Sequence, residues 1–152
     1  PDIELTAEIA PETPTPFIDA DQFRQVLVNL VQNAVEAVDP ATGWVRVEGH
    51  HAGDGIVLKV IDNGSGIPDD IRKNIFEPLY TTKLRGTGLG LAICASILAR
   101  HGGTIDVESE PGTGATFILQ FPLGAPSYAE APRVGGAADL RFNGRTEDNS
   151  HR

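Results

Sequence analysis

A turn, a strand and a glycine-flanked carboxylate run together in Gly53-Asp54-Gly55-Ile56-Val57-Leu58-Lys59-Val60-Ile61-Asp62-Asn63-Gly64-Ser65-Gly66-Ile67. Apart from Lys59, residues 56–61 form an apolar run of strand length rich in Ile and Val, and the Gly-Asp-Gly before them reads as a turn. Upstream, Trp44-Val45-Arg46-Val47-Glu48 alternates apolar with polar, so the two runs predict a pair of strands joined at residues 53–55. Asp62 then stands at the end of a buried strand, next to a backbone that the glycines leave open to close approach.

Outward from this stretch the helical period takes over. Phe23, Val26, Leu27, Leu30, Val31, Ala34, Ala37 and Val38 recur with helical spacing, which predicts a helix capped by Asp21 and ended by Asp39-Pro40. Before it, Ile3-Glu4-Leu5 reads as an edge strand and Phe17-Ile18-Asp19 as a second short extended piece. After Ile67, Pro68-Asp69-Asp70 starts a short helix, and a loop rich in Gly and Thr runs to Gly90. A second long helix over residues 91–100 stops at Gly102-Gly103. Residues 104–108 and 115–121 are two further strands around Pro111-Gly112-Thr113-Gly114. Hairpins mixed with helical crossovers suit an α/β (α+β) two-layer sandwich, with helices packed on one face of a mixed β-sheet. Beyond Pro122 no period persists, so residues 1–123 read as one domain and 124–152 as a flexible tail or linker.

The chain carries 12 Lys and Arg against 21 Asp and Glu, a net charge of −9. Residues 124–152 hold four of each sign, so the whole excess belongs to residues 1–123. Such a field disfavours nucleic acid as a partner. The longest near-apolar stretch, residues 89–99, is well short of the roughly 20 residues of a membrane span, so no membrane contact is expected of this domain. Pro1-Asp2-Ile3-Glu4-Leu5 is no basic-then-apolar leader, and the single cysteine, Cys94, excludes an internal disulfide. The expected setting is cytoplasmic, whether or not a parent protein is anchored in a membrane. Against the acidic trend, Arg72, Lys73, Lys83 and Arg85 crowd into 14 positions. They read either as a cradle for a small anionic ligand or as solvated loop charges.

Three features carry chemistry. In Asn29-Leu30-Val31-Gln32-Asn33-Ala34, Asn33 lies at the border of the apolar stripe and Asn29 just outside it. The Asn33 amide oxygen is thereby placed to meet a ligand or metal; the alternative is a rim asparagine satisfied by backbone or water. Asp62 offers an acceptor to the exocyclic amine of adenine, where guanine would present a carbonyl; the alternative is an Asn-Gly turn beside a solvated carboxylate. Arg85-Gly86-Thr87-Gly88-Leu89-Gly90 opens the second long helix, whose N-terminal N–H groups suit phosphate. The pattern is no Walker loop, which needs G-x-x-x-x-G-K-[ST]. Its spacing is G-x-G-x-G, and the preceding Phe76-Glu77-Pro78-Leu79-Tyr80-Thr81-Thr82-Lys83 is no strand, so the dinucleotide fingerprint fails too.

Together these motifs resemble the ATP-binding domain of the histidine kinases, in the superfamily that includes gyrase, heat-shock chaperone and mismatch-repair ATPases. The N box matches Asn29 through Ala37 and the first glycine box Asp62 through Ile67. The phenylalanine box matches Phe76-Glu77-Pro78, and the second glycine box Gly86 through Leu91. Gly112-Thr113-Gly114-Ala115-Thr116-Phe117 is similar to the third glycine segment, and Thr81-Thr82-Lys83 resembles kinases of the nitrogen-regulation type.

The resemblance implies ATP held between the helices and a mobile lid over residues 69–88. Asn33 would coordinate Mg²⁺, with Asn29 a secondary contact. Asp62 would take the adenine amine, Gly66 and Thr116 assisting through water, with Ile67, Leu91 and Ile93 as apolar walls. Gly88, Leu89 and Gly90 would offer N–H groups to phosphate, with Gly64, Thr82, Gly86 and Thr87 also among the nucleotide-binding residues. Lys83 or Arg85 would screen the γ-phosphoryl, which makes Asn33, Lys83 and Arg85 the implied catalytic set.

In the hydrolysing relatives a glutamate four residues before the metal-binding asparagine activates water. Asn29 stands there in this chain, and a neutral amide is no general base. Glu36 is either a substitute base or a solvated helix carboxylate. Transfer to a histidine is therefore the expected reaction, yet His50, His51, His101 and His151 do not begin the family's acceptor pattern. The implied partner is a dimerisation and phosphoacceptor domain outside this chain, with a response regulator reached indirectly. The alternatives are an ATPase or serine protein kinase of the same superfamily, or a non-catalytic nucleotide-binding signalling module.

Overall fold

Helix α1, Ala20–Ala37, begins two residues before the position that the sequence suggests. Asp19, not Asp21, is the N-cap: its backbone is extended and its Oδ1 accepts the Gln22 N–H at 2.9 Å, satisfying one donor of the first turn. Asp21 lies inside that first turn, within 3.6 Å of Arg24, and Phe17 and Ile18 form a bend instead of an extended piece. The computed structural model describes residues 2–80 and 90–124. Within them follow β1 (Glu4–Ile9), α1, β2 (Trp44–Ala52), β3 (Gly55–Asp62), α2 (Asp69–Arg72), α3 (Gly90–Arg100), β4 (Thr104–Glu110) and β5 (Gly114–Pro122). The expected tail lies outside the described residues from 125 onward.

The strands form a mixed sheet in the order β1-β2-β3-β5-β4, with β1 parallel to β2 and the other pairs antiparallel. Strand β1 lies at the edge, longer than Ile3-Glu4-Leu5 predicts. Alternation gives the sheet one buried face, carrying Val45, Leu58, Val60, Val107, Phe117, Leu119 and Phe121. Val26, Leu30 and Ala34 of α1 and Cys94, Ile97 and Leu98 of α3 close over it. Burying each large aliphatic side chain contributes about 1.5–3 kcal/mol, so this layer supplies the main driving force for the fold. Helix α3 ends where the glycine pair predicts: Gly103 N–H donates to the Leu98 carbonyl at 2.8 Å and Gly102 N–H to Ala99 at 3.1 Å.

His101, just past that end, joins the two long helices. Its Nδ1 lies 2.7 Å from the Ile97 carbonyl and its Nε2 accepts the Asp19 N–H at 3.3 Å. The C-terminus of α3 is thereby fixed to the N-terminus of α1, while the start of α3 meets the middle of α1 at Asn29 and the far end of α1 reaches the loop after Asp62. No helix among the described residues is long and apolar enough to cross a membrane.

Candidate functional site

Strict alternation along β3 buries Ile56, Leu58, Val60 and, last, Asp62, which is only 4% exposed. Register then sets Asp62 between Val45 on β2 and Ala115 on β5, all on the helix-side face. Burial pushes its carboxyl above the usual carboxylate range, while the N–H groups of Gly64 and Ala115 pull in the other direction. The Gly64 N–H reaches Oδ1 at 2.8 Å. A partly desolvated acceptor at a strand end, with small neighbours, is fitted to receive an amine of a planar ligand.

The loop after Asp62 is tied on three sides. Asn63 Oδ1 accepts the Trp44 N–H at 2.7 Å and its Nδ2 donates to the Thr42 carbonyl at 3.2 Å, which anchors the loop to the start of β2. Ser65 N–H donates to the Ala37 carbonyl at 3.3 Å, joining it to the last residue of α1. Gly112 N–H donates to the Ser65 carbonyl at 2.6 Å from the β4–β5 turn. Gly66 has φ +75°, and a Cβ there would lie 2.1 Å from the Glu110 carbonyl oxygen, so this position admits only glycine without rearrangement. Ser109, a residue that the motifs do not flag, completes the fastening: its Oγ accepts the Ile67 N–H at 2.8 Å. The available signal was the inward alternation Ile105, Val107, Ser109 along β4.

Along one flank of α1, Asn33 lies one turn before Ala37 and Asn29 one turn before that, both half-buried. Asn29 Nδ2 donates to the carbonyl of Gly90, the first residue of α3, at 3.5 Å. The Gly64 loop, Asn33, Asn29 and the start of α3 therefore follow one another along a single edge. Ile67, Leu91 and Ile93 are partly buried against the core at this edge, as is Phe76, whose ring meets Phe117 edge-on at 6.3 Å. Beside Asn29, burial pushes the Cys94 thiol up to about 11, which leaves it an inert core group.

Thr116 lies one pair along from Asp62 in the β3–β5 ladder. It pairs with Ile61, and alternation sends both to the sheet face opposite Asp62 and Ala115. Thr116 nevertheless lines one hollow with Asp62, at the strand end, with Trp44, Glu108 and Ser109 also among its walls. Thr82, Lys83, Arg85, Gly86, Thr87, Gly88 and Leu89 lie outside the described residues, as does all of the expected lid beyond Tyr80.

Among the described residues no three His, Cys, Asp or Glu side chains form a group that could hold a metal ion. The donor set at Asn33, a single hard amide oxygen, fits Mg²⁺ that takes most of its ligands from phosphate and water. It does not fit a metal caged by protein alone.

Residues 18–125 match the family described as histidine kinase-, DNA gyrase B-, and HSP90-like ATPase. Sensor histidine kinase ZraS of Escherichia coli K12 is 45% identical over 105 residues, covering 69% of this chain and 22% of the relative. Nitrogen regulation protein NtrY of Azorhizobium caulinodans is 36% identical over 133 residues, covering 83% of this chain and 17% of the relative. The catalytic domain of histidine kinase ThkA, nucleotide-free, superposes with a TM-score of 0.71 at 36% identity, covering 80% of this chain and 79% of that one. Full-length ShkA in complex with AMPPNP gives a TM-score of 0.68 at 34% identity, covering 82% of this chain and 27% of that one. The chain thus spans about a fifth of the length of these two curated relatives.

Proposed function

This chain belongs to the histidine kinase-, DNA gyrase B-, and HSP90-like ATPase family, and from that membership we propose that it is the ATP-binding catalytic unit of a sensor histidine kinase. The γ-phosphoryl of ATP passes to an imidazole nitrogen of a partner domain: the new N–P bond forms as the bond from phosphorus to the ADP oxygen breaks. The acceptor is a dimerisation and histidine phosphotransfer domain, and a response regulator receives the phosphoryl from it. Residues 1–123 form the catalytic unit, a division supported by strands that extend from Glu4 to Pro122.

The observation that carries this reading is Asp62, a buried carboxylate at the rim of the helix layer, held by the Gly64 N–H and flanked by the small Ala115. Asp62 accepts the adenine amine, and Ile67, Leu91 and Ile93 cover the base. Phosphates lie at the start of α3, where Gly88, Leu89 and Gly90 supply N–H groups and Lys83 or Arg85 offsets charge. Asn33 would hold Mg²⁺, which supplies charge neutralisation between phosphate oxygens when bound. Asn29 favours transfer over hydrolysis: its amide donates toward the Gly90 carbonyl, a contact that a carboxylate base could not make.

The test is calorimetric titration with ATP and GTP, with and without Mg²⁺, on the unmodified chain, Asp62→Asn and Asn33→Ala. ATP is preferred by the unmodified chain, Asp62→Asn loses that preference or binding altogether, and Asn33→Ala weakens the Mg²⁺ dependence. Equal affinity of the unmodified chain for the two nucleotides contradicts the adenine assignment.

A further inference from the structure

Two polar side chains are buried among the described residues, Asp62 and Ser109, and they sit in one row across the sheet. Asp62 pairs with Ala115, and Ala115 pairs with Ser109. The base-recognition reading above uses Asp62 and leaves Ser109 without a task.

Ser109 Oγ makes two hydrogen bonds. It accepts the Ile67 N–H at 2.8 Å and donates to the Gly114 carbonyl at 2.7 Å. Of these two groups, the Ile67 N–H is one that no sheet ladder serves. The β3–β5 ladder ends at the pair Asp62 and Ala115, and the β4–β5 ladder ends at Glu110 and Gly114, so neither extends to Ile67. A hydroxyl, able to accept and donate at once, is the smallest group that joins the two.

The other fastenings of the loop act elsewhere. Gly64 N–H holds the Asp62 carboxylate, and Gly112 N–H holds the Ser65 carbonyl. Removing the Ser109 hydroxyl leaves both in place and releases the Ile67 end of the loop from the Gly114 carbonyl. Ile67 is one of the apolar walls assigned to the base, and the phosphate contacts lie on another element, the start of α3.

We propose that Ser109 is a positioning residue for adenine: by bridging Ile67 and Gly114 it holds Ile67 at the spacing from Asp62 that a purine with an exocyclic amine requires. The inference rests on the proposed adenine site and deepens it. A role confined to stability would change the melting temperature and leave the discrimination between bases untouched. A positioning role changes the discrimination itself.

The experiment compares ATP and GTP affinities, by calorimetry on the full chain, for the unmodified protein, Ser109→Ala and Ser109→Thr, after circular dichroism establishes that each is folded. Ser109→Ala is expected to weaken ATP by about tenfold, a loss of about 1.4 kcal/mol, with GTP changed less than threefold, so that the ATP-to-GTP ratio falls. Ser109→Thr, which keeps the hydroxyl, restores the ratio to within about threefold of the unmodified chain. If Ser109→Ala does not fold, Ser109→Cys, a poorer acceptor and donor of similar size, takes its place with the same fall expected. An unchanged ratio in Ser109→Ala or Ser109→Cys overturns the positioning role while leaving the adenine site standing. Equal ATP and GTP affinities in the unmodified chain overturn the adenine site, and this inference with it.

Discussion

Asn29 of α1 reaches the first residue of α3, its Nδ2 donating to the Gly90 carbonyl at 3.5 Å. The contact is long, and the packing around it is loose: a Cβ on Gly90 would meet Asn29 only at 3.8 Å, an ordinary distance. Its importance is therefore electrostatic more than steric, since a neutral donor faces a carbonyl beside the helix start assigned to phosphate. Asn29→Asp substitutes an acceptor for the donor and brings negative charge toward the triphosphate. ATP affinity is expected to fall about tenfold or more in Asn29→Asp and about threefold in Asn29→Ala, equivalent to roughly 1.4 and 0.6 kcal/mol. Calorimetric titration measures both. Full-strength ATP binding by Asn29→Asp would refute this account of the helix junction.

Gly66 and Gly112 offer a controlled comparison within one loop assembly. Both have positive φ, +75° and +84°, yet a Cβ on Gly66 would strike the Glu110 carbonyl whereas nothing lies within 4 Å of one on Gly112. Gly112→Ala meets only the backbone penalty, about 1–2 kcal/mol. Gly66→Ala adds a backbone clash and must displace either its own loop or the β4–β5 turn. We expect Gly112→Ala to lower the melting temperature by several degrees with ATP binding retained, and Gly66→Ala to lower it at least twice as far with ATP binding lost. Thermal melts with and without ATP give both readouts, and equal effects of the two substitutions would show that the close approach is unimportant.

These relationships also mark the limit of what was legible in the chain. Helix α1 was readable because its apolar residues repeat along one face, and the end of α3 because a glycine pair follows the last apolar position. Asp62 was readable for the same kind of reason: alternation along β3 counts it inward after Ile56, Leu58 and Val60. The N-cap was missed because Asp19 and Asp21 satisfy the same local preference, and the bend at Phe17 and Ile18 decides between them. Strand β1 was underestimated because all six of its residues are exposed, leaving no buried stripe to follow. The sheet face that Thr116 takes was not legible, because its orientation depends on register with β3, which is set across more than fifty residues of chain. Ser109 meets Ile67 from 42 positions away, and no local pattern encodes that contact.

The charge on Asp62 should leave a signature in the pH dependence of stability. Burial raises its carboxyl in the folded state, while the unfolded chain ionises aspartate near 3.8. Between those two values the folded state binds a proton that the unfolded state does not, so acidification through that window favours folding at this site. Above the raised value both states are ionised, and the desolvated charge weighs against the fold in full. Other carboxylates titrate in the same range, so the contribution of Asp62 is isolated by difference. Asp62→Asn carries no titrating group, whatever constant offset its amide brings. The unfolding free energy of Asp62→Asn minus that of the unmodified chain is therefore expected to be most positive near neutral pH and to shrink as the pH falls toward 3.8. Denaturant unfolding of both proteins at matched pH values measures it. A difference that stays constant across the range would mean that Asp62 keeps an ordinary carboxyl in the fold, and a difference that grows on acidification would mean that its hydrogen bonds outweigh its burial.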